Sequence, residues 1–355
     1  MRALRLIIVL ALVFGAAACS GNSASSTGSN TPGSSHASTA PAPPSGPAAA
    51  TTVPTTPSRA GSLLPSDVSF VSTVRGWVIG QGRMLRTLNG GSSWTGLPAP
   101  PAGTNRVRFA TTSIGYAWAD LGPLWMTGDG SLSWRSGQLD RVDSLEIAGG
   151  LVWALAGEFP YPDVWRAPVG AITFSRVGHS PNRGDLLSVH GTTAFVLGPQ
   201  GAGPVPSSLS VFADTAPVRN ARLPCDSPTV YVPGAALGIS TDGTVFLGCT
   251  RQPQSGPGTN QAYLSTAQAR TWTPTPAPPE EDSGLAAVSG RLFAWGKNLS
   301  VQDGHGWHVT LPGPKSGKGF ALVGFEDNTH GLALDNDGLL HLTRDAGRTW
   351  TAVSF

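Results

Sequence analysis

Hydrophobic and polar positions alternate along the chain from about residue 65, in short segments separated by turns that carry Gly, Asp and Asn. The first unit of this pattern contains four such segments: Val68–Val71, Gly76–Ile79, Arg83–Arg86 and Ser93–Thr95. Short apolar runs bounded by turn residues are typical of β-strands. The pattern therefore predicts an all-β fold assembled from four-stranded antiparallel units.

A turn segment recurs before the last strand of a unit. It reads Thr-Leu-Asn-Gly-Gly-Ser-Ser-Trp at 87–94, and similar segments occupy 127–134, 343–350 and, with more substitutions, 265–272. These segments resemble the Asp-box, or bacterial neuraminidase repeat, with the pattern Ser/Thr-x-Asp-x-Gly-x-Thr/Ser-Trp. The matching positions are Thr87, Asn89, Gly91, Trp94, Thr127, Asp129, Trp134, Ser265, Trp272, Thr343, Asp345, Gly347 and Trp350.

The chemistry of this turn predicts structural roles for its residues. A short Asp or Asn side chain accepts hydrogen bonds from backbone N–H groups of a tight turn, and Gly supplies a positive φ. The Trp begins the next strand and buries about 200 Å² of surface against a neighbouring sheet. We expect the same of Asp129 and Asp345, whose place in a repeated turn argues against catalytic carboxylates.

The spacing of the repeat predicts the number of units. Aromatic anchors fall at Trp94, Trp134, Phe174, Trp272, Trp307 and Trp350. Neighbouring anchors lie about 40 residues apart, and the wide gap after Phe174 fits two units. Four strands at this period predict a single seven-bladed β-propeller over residues 65–355, with six and eight blades as alternatives.

The first and last units resemble the blades of photosystem II assembly and stability factors. The segments that carry this resemblance are Gly76–Ile79 with 83–94 in the first unit, and Gly331–Leu334 with Asp337-Gly338 in the last. The resemblance implies the propeller fold and implies no photosynthetic function.

The N-terminus has the features of an export signal. Residues 1–18 combine a positively charged start, an apolar run over 6–14 and small residues before Cys19, which together are typical of a signal peptide. The end of this segment resembles a bacterial lipobox, although Ala16 stands where that family usually has Leu. The resemblance implies that Cys19 is lipidated, and ordinary secretory cleavage after Ala18 is the alternative.

The composition of residues 19–64 predicts a flexible tether. After Cys19 they consist mostly of Ser, Thr, Ala, Pro and Gly, a composition that cannot bury enough apolar surface to offset the entropy of ordering. A flexible coil of roughly forty residues spans about 35 Å. We therefore expect a protein held at the outer face of the cell membrane by a lipid anchor, or a secreted one if Cys19 is not lipidated.

Charge and cysteine content narrow the possible partners. Removing residues 1–18 leaves equal numbers of basic and acidic residues, so no global basic field favours nucleic acid. In an oxidising compartment Cys225 and Cys249 are expected to form a disulfide, with two separate buried thiols as the alternative. The sequence shows no metal-ligand spacing, and we expect neither a metal nor a cofactor.

Asp-box propellers include sialidases, which implies an enzymatic alternative: a sialidase-like glycoside hydrolase. Sialidases resemble one another in three carboxylate-binding arginines, a Tyr–Glu pair and an Arg-Ile/Leu-Pro motif. Arg222-Leu223-Pro224 matches the motif by letters but follows several Asp boxes instead of preceding the first. No Tyr–Glu pair is evident from spacing, so the sequence favours a monomeric, non-catalytic binding or assembly module for a protein or glycan of the cell envelope.

Extended loops predict where this module binds. The stretches between the second and third strands are long in three consecutive units, at 156–163, 199–208 and 250–262. Such loops share a face with the connections between blades, and loops on a rigid scaffold often carry recognition. The candidate rim residues are Glu158, Phe159, Tyr161, Asp163, Arg251, Gln252, Gln254 and Asn260. Insertions that a surface loop merely tolerates are the alternative.

Overall fold

A computed structural model describes residues 63–158, 161–180, 186–198, 208–213, 218–225, 231–252, 259–266, 268–279, 284–288 and 290–355, with the backbone alone at 231–235, 250–252 and 259. The predicted signal peptide, Cys19 and most of the tether lie outside these residues and stay predictions. Within the described ranges, no helix is long and apolar enough to cross a bilayer.

The described strands form seven four-stranded antiparallel sheets. The first three blades contain β1 Asp67–Phe70, β2 Gly76–Gly80, β3 Arg83–Thr87 and β4 Thr95–Leu97; β5 Arg106–Phe109, β6 Gly115–Trp118, β7 Trp125–Thr127 and β8 Arg135–Ser136; and β9 Val142–Ala148, β10 Leu151–Ala156, β11 Asp163–Pro168 and β12 Ser175–His179. The fourth and fifth contain β13 Leu186–His190, β14 Thr193–Leu197, β15 Leu209–Ala213 and β16 Arg219–Ala221; and β17 Tyr231–Ile239, β18 Val245–Gln252, β19 Thr259–Ser265 and β20 Thr273–Thr275. The last two contain β21 Gly284–Val288, β22 Arg291–Trp295, β23 Leu299–Asp303 and β24 Gly306–Leu311; and β25 Phe320–Phe325, β26 Gly331–Asp335, β27 Leu340–Thr343 and β28 Thr351–Val353.

Strand order follows the sequence in every sheet, and the first strand of each blade is innermost, where it contacts the first strand of a neighbouring blade. The predicted seven-bladed propeller is therefore confirmed. The fourth strand of the first blade begins at Thr95 and not at Ser93, because Ser93 donates its backbone N–H to Asn89 within the turn.

Three blades repeat one register of Phe, Gly and Thr. In the first blade Phe70 on the inner strand pairs with Gly76, which pairs with Thr87 on the third strand. The second and last blades repeat it as Phe109, Gly115 and Thr127 and as Phe325, Gly331 and Thr343. A Cβ atom on Gly76 would lie 2.6 Å from the Phe70 ring, so the phenylalanine can pack there only over glycine.

The Thr of this register organises the turn that follows it. The hydroxyl of Thr127 accepts a hydrogen bond from the backbone N–H of Ser131 at 3.0 Å and donates one to Asp129 at 2.8 Å. The Asp129 carboxylate accepts in turn from the backbone N–H of Ser133 at 2.9 Å. Gly130 and Ser131 then take consecutive positive φ angles of 74° and 81°. The equivalent Thr and Asn or Asp side chains form the same bonds at 87–93 and 343–349.

Apolar side chains pack between blades and not around one centre. The indole of Trp77 in the first blade stacks on Phe109 in the second, with ring centroids 3.7 Å apart. Turns are also held by the preceding blade, because the guanidinium of Arg291 donates to the carbonyl of Ala346 and Thr310 donates to the carbonyl of Gly347 at 2.6 Å. Each blade is thus buried on both faces by its neighbours.

The ring closes between the first and last blades without strand exchange, since the four strands of each come from one continuous segment. The junction is apolar. Leu63, Phe70 and Val78 pack in one cluster with residues of the last blade, including Leu332 and Leu334. The ring of Trp94 contacts Phe355, with centroids 5.1 Å apart. Apolar side-chain packing therefore joins the two ends of the propeller.

The predicted disulfide is confirmed: Cys225, which follows β16, is bonded to Cys249 in β18. Both residues are buried in a cluster that also includes Leu209 and Leu247. The bond therefore ties the fourth blade to the fifth inside their shared core.

Replacing Thr127 with Val should destabilise the protein by about 2 kcal/mol, because the shape is kept while the buried Ser131 N–H loses its acceptor. Replacing Thr127 with Ser keeps the hydroxyl and is the matched control. Urea unfolding of the three proteins measures the difference. Equal stability of the Val and Ser variants would contradict the role given to the hydroxyl.

Replacing both Cys225 and Cys249 with Ser should lower the free energy of unfolding by about 3 kcal/mol, the entropy of closing a loop of this size in the unfolded chain. Urea unfolding of the oxidised protein and the double variant measures the loss. Adding reductant should destabilise the wild type and leave the double variant unchanged. A linked peptide pair must also appear in unreduced mass spectra, and two free thiols would refute the bond.

Candidate functional site

The propeller has two faces with different loops. We call the face that carries the loops between second and third strands, such as 157–162, the loop face. The turns at 87–94, 127–134, 265–272 and 343–350 lie on the opposite side, which we call the turn face. Both follow from antiparallel order within a blade, since alternate connections of a four-stranded sheet lie at the same end.

The extended loop of the third blade folds back on its own blade at the loop face. The backbone N–H of Tyr161 donates to the carbonyl of Glu158 at 3.1 Å, and that of Ser180 donates to Pro162 at 3.1 Å. These bonds carry Tyr161 and Asp163 to the end of the outer strand β12. The described residues at both ends of this loop therefore lie against the blade, where the first and last blades have short hairpins.

Four side chains meet there, and we call them the blade-3 cluster: Tyr161, Asp163, Arg176 and His179. The Asp163 carboxylate lies 2.9 Å from a guanidinium nitrogen of Arg176 and 3.0 Å from His179 Nδ1. The Tyr161 ring is 6.2 Å from the His179 ring and is 50% exposed. The cluster presents an aromatic surface with both signs of charge to solvent.

The predicted rim is brought together only in part. Glu158, Tyr161 and Asp163 lie near one another, while Phe159, Gln254 and 199–207 fall outside the described residues. The predicted loop at 250–262 is wrong in its bounds. The structure has a shorter loop there, because the hydrogen-bonded ladder between β18 and β19 continues through the pairs Cys249–Gln261 and Arg251–Thr259. Arg251 and Gln252 are therefore in β18, and Asn260 is in β19, where its amide donates to the carbonyl of Pro278 at 3.2 Å.

A second group of polar side chains lies on the inner strands beside the propeller axis. Arg108, Glu146 and Ser188 hold corresponding positions on β5, β9 and β13, and we call them the polar arc. The corresponding positions of the sixth and seventh blades hold the small residues Ala286 and Gly324. The inner strands of the propeller are therefore polar on one side of the axis and small on the other.

Arg108 is held by the first blade. Its Nη1 donates to Asp67 at 3.0 Å and to the carbonyl of Val107 at 2.6 Å. Asp67 also accepts from the backbone N–H of Val107 at 2.9 Å, and the Ser69 hydroxyl accepts from that of Phe109 at 2.9 Å. Side chains of β1 thus satisfy the free edge of β5, and the Asp67–Arg108 ion pair is fully buried.

The Glu146 carboxylate, unlike the Arg108 guanidinium, is held by no hydrogen bond from a described residue. Its carboxylate lies 3.8 Å from Arg108 Nε, and its side chain is 1% exposed. Within the described part of the chain, no group donates a hydrogen bond to either oxygen, and the Ser188 hydroxyl also lacks a partner. Burial raises the pKa of Glu146 to about 8, against the lowering effect of Arg108 and with a further increase from Asp67.

A cavity of about 300 Å³, which includes open solvent, lies between the first and last blades and reaches Arg108. Phe70, Leu322 and Phe325 give it apolar walls, and Ser69 and Glu326 add polar groups. Burial raises the pKa of Glu326 to about 8. The cavity therefore reaches the polar arc at Arg108, and its lining includes neither Glu146 nor Ser188.

Sequence reasoning missed the polar arc and half of the blade-3 cluster. Glu146 stands in an ordinary strand pattern, Ser-Leu-Glu-Ile, and Arg108 stands in Arg-Val-Arg-Phe. A charged residue at an inner-strand position between apolar neighbours was the available signal. Arg176 and His179 carried no such signal in the sequence, because β12 has the pattern of an outer strand with exposed side chains.

The hydrogen bonds of the described tyrosine hydroxyls do not show the Tyr–Glu pair expected of a sialidase. Arg106 pairs with the exposed Asp120 at 2.9 Å, and Arg222 follows the outermost strand of its blade. The Tyr116 hydroxyl contacts the backbone of Gly170 and Ala171, and no described tyrosine hydroxyl bonds to a glutamate. Among the residues described, no group of three His, Cys, Asp or Glu is placed to hold a metal.

No protein-family model and no curated protein sequence matches the chain. Solved propellers do match it. A structure described as YCF48 bound to D1 peptide has a TM-score of 0.56 and 16% identity over 82% of this chain and 98% of that one. The propeller domain of the Trilobed protease from Pyrococcus furiosus, described as having an open velcro topology, has a TM-score of 0.54 and 12% identity over 82% of this chain and 97% of that one.

An ancestral GH74 enzyme also matches, with a TM-score of 0.57 and 12% identity over 85% of this chain and 47% of that one. At such identities these likenesses show the fold alone. They include a peptide-bound protein, a protease domain and a glycoside hydrolase, so function must be argued from the sites of this chain.

Replacing Glu146 with Gln should change how stability depends on pH. The folded pKa of about 8 lies above the ordinary value of 4.5, so the folded state holds a proton that the unfolded state releases, and wild-type stability falls as pH rises through this window. The neutral variant avoids that loss, and its stability relative to wild type should increase from pH 5 to pH 8. Urea unfolding across this range measures the trend. Glu158→Gln, at an exposed position, is the control, and parallel curves for wild type and Glu146→Gln would contradict it.

Proposed function

We propose that this protein is an exported, lipid-anchored β-propeller that acts as a non-catalytic binding or assembly module, and that its loop face binds a protein of the cell envelope. The observation that carries the proposal is the blade-3 cluster, an aromatic and charged surface formed by Tyr161 of the extended loop with three side chains at the ends of β11 and β12. Aromatic residues and arginine are enriched in the energetic centres of protein interfaces.

The place where the chain enters the propeller supports the assignment of partner binding to the loop face. Residues 63–66 lie at the loop face, where the Ser66 N–H donates to the carbonyl of Ile79 at 2.8 Å and its hydroxyl donates to Asn105 at 2.9 Å. Leu63 is buried at the junction with the last blade. A tether that begins at Cys19 would thus join the propeller on the same face as the blade-3 cluster. Because such a tether spans about 35 Å, the cluster would be within reach of membrane proteins.

A peptide or protein partner is favoured over a glycan by the charges of the cluster. Asp163, Arg176 and His179 offer both donors and acceptors beside the exposed ring of Tyr161, a combination that suits peptide backbones and mixed side chains. The YCF48 structure, solved with a D1 peptide, is an example of this fold binding a peptide. The sialidase-like alternative requires a Tyr–Glu pair, and no described tyrosine hydroxyl bonds to a glutamate. Hydrolysis of a fluorogenic sialoside by the purified protein would support that alternative.

Replacing Tyr161 and His179 together with Ala should weaken partner capture about tenfold or more, as expected when an interface loses an aromatic anchor. The measurement is quantitative mass spectrometry of envelope proteins crosslinked to wild type and variant. Leu132→Ser is the control, because Leu132 is 60% exposed in a turn on the turn face. A partner that is lost equally from the control, or retained by the double variant, would place the interface elsewhere.

Replacing Cys19 with Ala should release the protein from the membrane, because the acyl chains are the predicted anchor. Fractionation of cells that express wild type or variant measures the membrane-bound share of each. A variant with Ala18 changed to Ser, which keeps the cysteine and a small residue before it, is the control and should stay in the membrane fraction. Equal release of wild type and Cys19→Ala into the medium would rule out lipidation.

A further inference from the structure

Arg141, which directly precedes the inner strand β9, has a left-handed backbone conformation with a φ of 53°. Such a conformation is costly for a residue with a long side chain. Among the described residues, six other non-glycine residues have a positive φ, and each lies in a repeated turn, a two-residue hairpin or a β-turn: Gln81, Leu121, Ser131, Gln268, Ala269 and Ala346. Arg141 lies in no such turn, so its conformation needs another explanation.

Backbone hydrogen bonds on both sides hold Arg141 in this conformation. The Arg141 carbonyl accepts a hydrogen bond from the N–H of Gly157 at 3.3 Å, and Val142 donates to and accepts from the loop 121–122 at 2.8 and 2.9 Å. The register between β9 and β10 also shifts beside Val142, which leaves Asp143 as an extra residue. Bulges and strained residues that the surrounding structure fixes in place are typical of functional sites.

The Arg141 side chain makes no contact that would offset the cost of its backbone. It is exposed, and it forms no ion pair or hydrogen bond with any described residue. Neither of the exposed acids nearby, Asp140 and Glu158, pairs with it, whereas Arg106 on the same face pairs with Asp120 at 2.9 Å. A strained arginine with a free guanidinium group at the surface is therefore a candidate for recognition.

Arg141 stands at the axial end of a row of residues that crosses the third blade at the loop face. In that row Val142 pairs with Ala156, which pairs with Asp163. Asp163 pairs in turn with His179 of the blade-3 cluster. Three spacings between strands separate the two ends of the row, which are therefore about 14 Å apart. An extended segment of about four residues covers this distance.

We propose that Arg141 binds a carboxylate of the partner, on an extended peptide segment that runs from the blade-3 cluster across the loop face toward the axis. A guanidinium group has five N–H donors and no acceptor, and it binds a carboxylate through two parallel hydrogen bonds. Because Asp140 and Glu158 flank Arg141, a segment with charges of both signs complements this surface. The inference rests on the proposed function, since it names the partner's chemistry at the same face.

The experiment is affinity selection from a random library of soluble twelve-residue peptides with free C-termini, with retained sequences read by mass spectrometry. The immobilised proteins are wild type, Arg141→Ala, the double variant Tyr161→Ala with His179→Ala, and Arg75→Ala, each checked for cooperative unfolding. Arg75 is the matched control, because it is an exposed arginine in a turn on the turn face. A peptide retained by wild type is then resynthesised with its acidic residue changed to the amide, and separately with an amidated C-terminus.

Wild type and Arg75→Ala should retain peptides enriched in Asp or Glu, and Arg141→Ala should lose that enrichment. Arg141→Ala should also weaken binding of the resynthesised peptide about tenfold or more, since a charged hydrogen-bond pair is lost. The amide form of the peptide should lose as much affinity for wild type and little more for Arg141→Ala, because both changes remove one interaction. Loss of binding on amidation of the C-terminus would instead identify the terminal carboxylate as the group that Arg141 holds.

Arg141→Gly separates the strain from the charge. It should bind the peptide as weakly as Arg141→Ala does, and it should melt about 2 °C above Arg141→Ala, because glycine adopts a left-handed backbone without steric cost. A melting temperature no higher than that of Arg141→Ala would contradict the strain on which the inference rests.

The inference is overturned if wild type retains no peptide or shows no acidic enrichment, if Arg75→Ala loses as much as Arg141→Ala, or if Arg141→Ala binds the peptide with unchanged affinity. Retention of the peptides by Arg141→Ala, together with their loss from the Tyr161 and His179 double variant, would overturn this inference and leave the proposed function standing. Crosslinking of envelope proteins to the same double variant tests the proposed function separately.

Discussion

A propeller blade has two apolar faces and cannot bury either by itself, and the rest of this structure depends on that constraint. Only a closed ring covers both faces of every four-stranded sheet while leaving no long exposed edge. The stacking of Trp77 on Phe109 and the carbonyl contacts of Arg291 and Thr310 are local expressions of this requirement. Here the ring closes by packing of Leu63, Phe70 and their neighbours against the last blade, with no shared strand.

Closure creates a second constraint at the axis. The innermost strands have free edges that no further strand can pair, so their polar groups need side-chain partners. Asp67 and Ser69 fulfil this for β5 by accepting from the N–H groups of Val107 and Phe109. Glu146 and Ser188 occupy corresponding places on the next inner strands, β9 and β13. Their side chains form no hydrogen bond with any described residue. This difference distinguishes Asp67 and Ser69, which stabilise the scaffold, from Glu146 and Ser188, whose polar groups are left without partners among the described residues.

The two candidate sites differ in what they can recognise. The blade-3 cluster lies at the surface, where the extended loop meets the ends of β11 and β12, and it shares its face with the entry of the chain at Leu63, so it suits a macromolecular partner. The polar arc is buried beside the axis, and a cavity of about 300 Å³ that includes open solvent reaches it only at Arg108.

The sequence alone determined the repeat, the blade number and the disulfide, because these depend on local chemistry. Turn residues such as Thr127 and Asp129 act within a few positions of one another, and Cys225 and Cys249 were the cysteines left to pair. The blade-3 cluster was half predicted: Tyr161 lies in the predicted loop and Asp163 at its end, where β11 begins, whereas Arg176 and His179 join them only through the pairing of β11 with β12.

The polar arc was decided by tertiary structure. Glu146, Ser188 and Arg108 lie on three different blades, and no local pattern tells which inner-strand residues will face one another once the ring has closed. The length of the fifth blade's hairpin was misjudged for the same reason. Arg251 and Asn260 flank a stretch rich in Pro and Gly, yet ladder hydrogen bonds between two long strands outweigh that local preference. The conformation of a local turn is determined by neighbouring residues, but a site between blades forms only when the fold brings distant segments together at the axis.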